Sequence, residues 1–406
     1  MQDNRRYYSL DALRGSMMML GIVLHGSQFY VSEPMGGIPM PADPSNSYLF
    51  NIILYFIHSF RMPLFFVLAG FFTSLLVDKR GVKGTYVNRG KRILGPLLVG
   101  VVTILPLTMV CMGAFLVSAK FNTFQFIPEM AQIEIIAAEL QEAGFPVDEP
   151  SLGHLWFLYY LLYFYLTIPL CILIVRLAKP YQSSIDKWLA RPSSLLALGL
   201  LTSLTLWPFK YGQVFEGFIF ITPHLPSLAY YGMFFIAGYI FHHHRSILDT
   251  FKQHFPRLAV FTLILFPVSL YFSVLEESTA NPGALLHVMA VISGGLCTWT
   301  LIYSFMGIFL RYLDYESPWI LYISQSSYWV YLIHMPLVSF FAWCMLPFEL
   351  SAFIKFPSIV MLTALFSLFS YHYWVQKTWV SDLLNGMRFD LKWPWNSHEK
   401  ELPRSG

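Results

Sequence analysis

Apolar runs about as long as a bilayer is thick recur along the whole chain, separated by short polar segments. A helix needs about 20 apolar residues to cross the hydrocarbon core. Ten stretches approach that length, at roughly 10–31, 59–77, 93–116, 154–175, 193–208, 228–242, 258–275, 285–310, 319–346 and 356–376. The pattern predicts an all-α protein, a polytopic transmembrane helical bundle of about ten spans. The run 193–208 is the shortest candidate. The apolar run 48–58 reads as an outer-face helix leading into the second span, with Pro63 near the join. The segment "IPEMAQIEIIAAELQEAG" is amphipathic and reads as a helix over the outer mouth. No internal repeat or soluble domain stands out. Residues 1–380 form one membrane domain, followed by a cytoplasmic C-terminal tail over 381–406.

Composition agrees with this pattern. Hydrophobic residues make up 56% of the chain and charged residues 12%, against roughly 25% charged in a soluble domain. The net charge of +3 gives no sign of nucleic acid, because the basic residues sit in short loops between apolar runs. Those loops fix an orientation. Lys79, Arg80, Lys83, Arg89, Lys91 and Arg92 follow the second span; Arg176, Lys179, Lys187 and Arg191 follow the fourth; Arg245, Lys252 and Arg257 follow the sixth. The alternate loops are acidic, with Glu33 and Asp43, then Glu129 to Glu149, then Glu276 and Glu277. The positive-inside rule places both termini in the cytoplasm and the 117–153 loop outside. No cleavable signal peptide is visible. Cys111, Cys171, Cys297 and Cys344 lie in or beside apolar runs, with no metal-binding spacing, and read as apolar filler.

The exceptions to the apolar pattern carry the candidate chemistry. A charge in a membrane span costs on the order of 2.5–3.5 kcal/mol even on an insertion scale, so each one needs a partner or a task. Arg14 and His25 are eleven residues apart, within about 20° of whole turns, and share one helix face about 16 Å apart. Asp11 can pair with Arg14 at i, i+3. Taken alone, Arg14 also reads as a snorkelling anchor and His25 as a hydrogen-bonded core histidine. His58 and Arg61 are at i, i+3 in "FIHSFRMPLFF", a run without an acid, so a partner for Arg61 must come from elsewhere. Arg89 and Arg92 in "YVNRGKRILGPLL" have the spacing to face one anion together, or to act as ordinary anchors. His154 and Trp156 open the fourth span, where an interfacial belt is the plainer reading. Ser326, Ser327, Tyr331 and His334 place a polar cluster inside the ninth span, which suggests a cavity. In "HHHR", residues 242–245, adjacent histidines point in different directions on a helix, and no metal site is expected.

These residues resemble the motifs of the acyltransferase-3 family of multi-spanning membrane acyltransferases. "RGSMMMLGIVLH" is similar to its arginine–ten residues–histidine motif, "FRMPLFFVLAGF" to its second-span signature, "NRGKR" to its arginine pair, and "YWVYLIHMP" to its late "YLxHxP" motif. The motifs fall in order from about residue 7 to 380. "FIHSFRM" and "HLWFL" look most like a branch implied to succinylate periplasmic glucans. Many members carry a glutamate soon after the fourth-span tryptophan; here Tyr159, Tyr160 and Leu161 follow, so that role is not carried over.

The resemblance implies an enzyme of the bacterial inner membrane. It would move an acyl group, succinyl in that branch, from cytoplasmic acyl-coenzyme A to hydroxyls of a periplasmic glucan or other envelope glycan. The donor is a substrate; no permanently bound cofactor or metal is expected. Arg14, Arg89 and Arg92 are placed at the donor's phosphates. His25 is either the general base or a covalent acyl carrier. Arg61 or Tyr331 could stabilise the oxyanion, with His334 in the same catalytic group. His58, His154 and Trp156 are assigned to the acceptor. A transporter or flippase for an anionic or glycosylated substrate is the alternative, since intramembrane Arg and His residues serve such proteins too. Repeat symmetry, which a transporter often shows, is not found.

Overall fold

The computed structural model describes residues 7–34, 36, 39–215 and 220–394. Among the described residues the chain is almost wholly helical, with one isolated bridge between Ser151 and Phe220 and no strand. The helices are α1 (Tyr8–Ser27), α2 (Tyr48–Arg89), α3 (Gly95–Phe121), α4 (Met130–Glu142), α5 (Trp156–Leu166), α6 (Ile168–Ala178), α7 (Gln182–Leu189), α8 (Ser193–Leu206), α9 (Leu225–His243), α10 (Ser246–Ser278), α11 (Ala284–Tyr312), α12 (Pro318–Met345), α13 (Ala352–Ser370) and α14 (Trp379–Asn385).

Each of the ten expected apolar segments falls on one of these helices or, for the fourth, on the α5–α6 pair. By length and hydropathy, five helical runs could cross a bilayer, or six when α5 and α6 count as one span bent by 52°. One of the five is the 74-residue run of α2 and α3. The protein is thus a multi-pass helical membrane protein. α1, α8 and α9 fall outside that set, and each has a reason. α8 has only 14 residues, α1 carries Asp11, Arg14 and His25, and α9 ends in histidines.

The separate helix expected over 48–58 does not form. α2 runs unbroken through Pro63, and its one non-helical residue is Gly81, in the basic segment. A proline inside a helix has no N–H for the carbonyl four residues earlier and usually kinks the chain there. Here that carbonyl, of Ser59, accepts from Thr298 Oγ1 of α11 at 2.9 Å. The bond comes from a neighbouring helix, as membrane interiors require. The amphipathic segment after α3 is a helix as expected. α4 is closed at its start by a capping box of Glu129 and Gln132, and Lys120 pairs with Glu139 at 2.6 Å to hold it against the end of α3.

The core is aromatic. Phe66, Trp156, Phe157, Phe164 and Tyr231 meet with ring centroids 5.0–6.4 Å apart. α2 and α9 run parallel and cross closely at two glycines. A Cβ on Gly70 would lie 1.9 Å from the Phe235 carbonyl oxygen, and one on Gly238 would lie 1.9 Å from that of Val67. Small residues allow this backbone approach between membrane helices. Cys111, Cys171 and Cys297 are buried and unpaired, and Cys344 is half-buried and unpaired.

Gly70→Ala should therefore force α2 and α9 apart and cost at least about 1–3 kcal/mol, the scale of overpacking. Gly113 within α3, where the nearest atom to an added Cβ is Pro128 Cγ at an ordinary 3.6 Å, is the control. Thermal unfolding in detergent should show a clear drop for Gly70→Ala and none for Gly113→Ala. Equal melting points would show that the crossing is not tight.

Candidate active site

α1 and α12 run side by side in the same direction, and their polar residues meet at both ends. Arg14 donates to Ser324 Oγ at 2.9 Å, and ten or so residues further along both helices the His25 and His334 rings lie 5.2 Å apart. The shared face expected for Arg14 and His25 is thus turned toward α12. Arg14 also pairs with Asp11 at 3.3 Å, at the expected i, i+3 spacing.

A cavity of about 760 Å³ opens beside Arg14. Arg89 and Arg92 line it together with Arg14, so the three arginines expected at one anion do share one space. Both come from the end of α2 and the widened π-turn Gly90–Leu94 that joins it to α3, a local form frequent at functional sites. Neither has a carboxylate within ion-pair distance among the described residues. Arg89 Nε is buried without a hydrogen-bond partner, and its guanidinium lies 5.5 Å from the Tyr165 ring centre. Arg92 Nε donates to the Leu384 carbonyl at 3.1 Å. Two uncompensated arginines on one wall favour an anion with planar, bidentate acceptors.

The cavity wall also includes residues 384, 385 and 387–389. The stretch assigned to a C-terminal tail thus contributes to the cavity wall. α14 and the residues after it are part of the site, held by Asn385 Nδ2 donating to the Gln325 carbonyl at 3.1 Å. The remainder of the tail, from 395, lies outside the described residues. Arg388 adds a fourth arginine to the wall, paired with Asp382 at 2.7 Å. In the sequence it is only one basic residue of the C-terminal stretch, with no motif around it.

Tyr331, Phe65 and Met18 line the same cavity, and beyond them lies a cluster of three imidazoles. His154 sits 5.4 Å from His334 and 5.8 Å from Tyr331, centroid to centroid. His154 enters the cluster from the turn before α5, where Gly153 has φ +49°, a conformation that suits glycine. Every ring has one nitrogen on a protein acceptor. His25 Nδ1 is 3.1 Å from Gln28 Oε1, His154 Nε2 is 3.0 Å from the Leu332 carbonyl, and His334 Nδ1 is 2.7 Å from the Tyr331 carbonyl. His154 Nδ1 and His334 Nε2 are buried with no partner in the protein. A buried unsatisfied group costs about 1–3 kcal/mol, so each of these atoms is poised to accept from a donating ligand or water.

Arg61 is 5% exposed, and among the described residues no acid lies within ion-pair distance of it. Its partner is backbone. Nε donates to the Met17 carbonyl of α1 at 3.0 Å, and the guanidinium lies 5.7 Å from the centre of the Phe65 ring. Gly21 makes the room, since a Cβ there would stand 2.3 Å from an Arg61 terminal nitrogen.

Three expected placements change. The Tyr331 hydroxyl donates to the His154 carbonyl at 2.7 Å, so its proton is engaged and the ring, not a free O–H, faces the cavity. His58 bonds the Val214 carbonyl at 3.0 Å and stacks on Phe215 at 4.7 Å, away from the cavity wall. Trp156 packs among Phe66, Tyr160 and Tyr231 in the core. At i, i+2 from His154, Trp156 lies on another side of the chain; His58, although i, i+3 from Arg61, is held by the Val214 carbonyl and the Phe215 ring. Ser326 and Ser327 bond carbonyls of their own helix, at 3.2 and 2.8 Å. The 242–244 histidines stand apart from the site. Arg245 donates to His242 Nε2 at 3.2 Å, so Nδ1 carries the proton facing Ser74 Oγ at 3.0 Å. A ring held in that state does not present Nδ1 to a metal, although Asp78 and His243 are near enough to join one.

The fold and this site describe a multi-pass helical membrane protein with an arginine-lined cavity beside a cluster of three imidazoles. A family model described as an acyltransferase domain matches residues 7–372, and the chain belongs to that family: it is a membrane acyltransferase. It is similar to glucans biosynthesis protein C from Escherichia coli O139:H28 (strain E24377A / ETEC), from strain SMS-3-5 / SECEC and from O9:H4 (strain HS). Each is 26% identical over 355 residues, covering 83% of this chain and 83% of the relative. No solved structure matches the chain. The transporter alternative gives way to the enzyme.

Gly21→Ala should displace the Arg61 guanidinium and lower acyl-transfer turnover by about tenfold or more, the scale of one lost charged contact. Gly26→Ala on the same helix, where the nearest atom to a Cβ is a side-chain methyl at 3.2 Å, should cost far less. Similar losses in the two variants would separate Arg61 from the chemistry.

Proposed function

We propose that the protein moves an acyl group, succinyl being the first candidate, from acyl-coenzyme A to a hydroxyl of a periplasmic glucan or related envelope glycan. The observation that carries this reading is the placement of an arginine-lined cavity against an imidazole cluster. The cavity that holds Arg14, Arg89 and Arg92 also has Tyr331 in its wall, and the Tyr331 ring packs on His154 and His334, the latter in turn on His25. Arg14 and His25 are about 16 Å apart along α1, a span that an extended pantetheine arm covers. The glycan acceptor and the succinyl group rest on the printed name of the relatives and on the branch likeness of "FIHSFRM" and "HLWFL".

In this reading the ten helical segments all cross the inner membrane. Both termini and the arginine end face the cytoplasm, and α4 faces the periplasm. The donor's phosphates bind Arg89, Arg92 and Arg14, and its thioester lies near His25. With Nδ1–H held by Gln28, His25 Nε2 has the lone pair. It takes the proton as the acceptor hydroxyl attacks the thioester carbonyl. Arg61 stabilises the oxyanion. The C–S bond breaks, the ester C–O bond remains, and the proton passes to the leaving thiolate, so acyl ester and free coenzyme A are the products.

Two experiments test this. His25→Ala should still bind labelled succinyl-coenzyme A yet lose about 10²–10⁴-fold in transfer, the worth of a general base. A loss under about tenfold rejects the role, and acyl-histidine trapped without acceptor would make His25 a carrier instead. Changing Arg89 and Arg92 together to Gln should raise the donor's KM by about tenfold or more, since hydrogen bonds to charged groups contribute about 1.5–3 kcal/mol each. The penalty should vanish with a pantetheine thioester lacking the nucleotide. An equal penalty for both donors would remove the phosphates from this wall.

A further inference from the structure

Among the helix-interior prolines, Pro63 and Pro336 each free a carbonyl that a side chain of another helix or turn then meets, and the two carbonyls are used differently. Pro63 frees Ser59, whose oxygen takes a hydroxyl proton from Thr298. Pro336 frees the Leu332 carbonyl of α12, and that oxygen is met at 3.0 Å by His154 Nε2. The second case fixes a proton. A carbonyl can only accept, so Nε2 must be the N–H of the ring. A neutral imidazole has one N–H, so Nδ1 is the bare nitrogen. That Nδ1 is buried without a partner in a side chain only 7% exposed. His334 repeats the arrangement: its Nδ1 faces the Tyr331 carbonyl at 2.7 Å, and its bare Nε2 is likewise buried and unpartnered at 1% exposure.

Two bare nitrogens in rings 5.4 Å apart call for a ligand that donates. The phosphates and thioester of an acyl donor offer chiefly acceptors to them. A polyol offers hydroxyl donors, and adjacent sugar hydroxyls suit adjacent acceptors. We propose that Pro336 is a positioning residue acting through His154. The carbonyl it frees holds His154 as the Nε2–H tautomer, and the bare Nδ1 receives a hydroxyl of the acceptor sugar. This rests on the acyl-transfer reading above and adds to it where, and by which atom, the acceptor is held.

The tautomer is measured directly by nitrogen NMR of the full chain, labelled with ¹⁵N-histidine and held in lipid nanodiscs. The His154 signals are assigned by their loss in His154→Gln. Wild type should show Nε2 protonated and Nδ1 bare. Pro336→Ala returns an N–H to the Leu332 carbonyl and should leave His154 a mixture of tautomers. Kinetics use succinyl-coenzyme A and a β-linked gluco-oligosaccharide as the probe acceptor. His154→Gln keeps an N–H for Leu332 but has no bare ring nitrogen. It should keep its melting temperature and donor KM, yet lose about tenfold or more in kcat/KM for the acceptor. Adding Pro336→Ala to it should cost no more than about twofold further, because the proline acts through the lost ring. The proposal fails if wild-type His154 carries its proton on Nδ1, if His154→Gln stays within about threefold of wild type, or if the two losses multiply. A wild type that transfers nothing to the probe counts against the acyl-transfer reading, and the NMR signature then decides this proposal alone.

Discussion

The parallel pairing of α1 with α12 is the constraint on which the rest of the site depends. Arg14 on Ser324 and His25 on His334 fix one register at two points. Between them, Gly15 faces the Ile323 side chain and backbone so closely that a Cβ would stand 2.9 Å away. The two helices therefore cannot slide without breaking both polar ends at once. This sets the distance from the arginine-lined cavity to the imidazoles at a fixed number of helical turns. α2 lies across the pair in the opposite sense. It brings Arg61 to the middle of α1 and Phe72 within 5.8 Å of Arg14.

Backbone, more than acid, neutralises the polar groups inside the bundle. Arg61 rests on a carbonyl, and each imidazole of the cluster has a backbone or amide acceptor. Such bonds hold a side chain in place without cancelling its charge or its lone pair. Carboxylates appear instead where helices must be tied to loops. Lys355 of α13 pairs with Asp43 at 2.8 Å, at 3% and 0% exposure, tying α13 to the loop between α1 and α2. Glu276 of α10 holds His287 of α11 at 2.8 Å and the Tyr211 backbone N–H at 2.9 Å. Buried pairs of this kind add little net stability but penalise wrong arrangements heavily. Among the described residues, Asp11 on Arg14 and Asp382 on Arg388 are the acids paired with arginines of the cavity wall, and Arg89 and Arg92 are left without one.

Much of the architecture could be read from the chain because it is local. Apolar length predicts the ten long apolar segments as helical, eleven residues place Arg14 and His25 on one face, and three place Arg89 and Arg92 together. Amphipathic spacing marks α4. These properties depend on helix geometry alone, which is the same wherever the helix is packed. The run 48–58 misleads for a reason that is not local. Pro63 signals a break, yet a hydroxyl 239 positions from the freed Ser59 carbonyl supplies the missing bond.

What the sequence determined by itself is therefore the class of protein, its family motifs, and which polar residues share a helix face. Only the tertiary structure decided what each face meets. It turned His58 to the Val214 carbonyl and Phe215, set Trp156 in the packed core, engaged the Tyr331 hydroxyl with the His154 carbonyl, and brought residues 384, 385 and 387–389 into the cavity wall. It also gave Arg61 a carbonyl where an acid was sought, and His154 a carbonyl that a proline on another helix had freed. A spacing along one helix fixes an angle about that helix's own axis. The partner at that angle depends on how separate helices cross, and that is set by glycine contacts and freed carbonyls scattered across the whole chain.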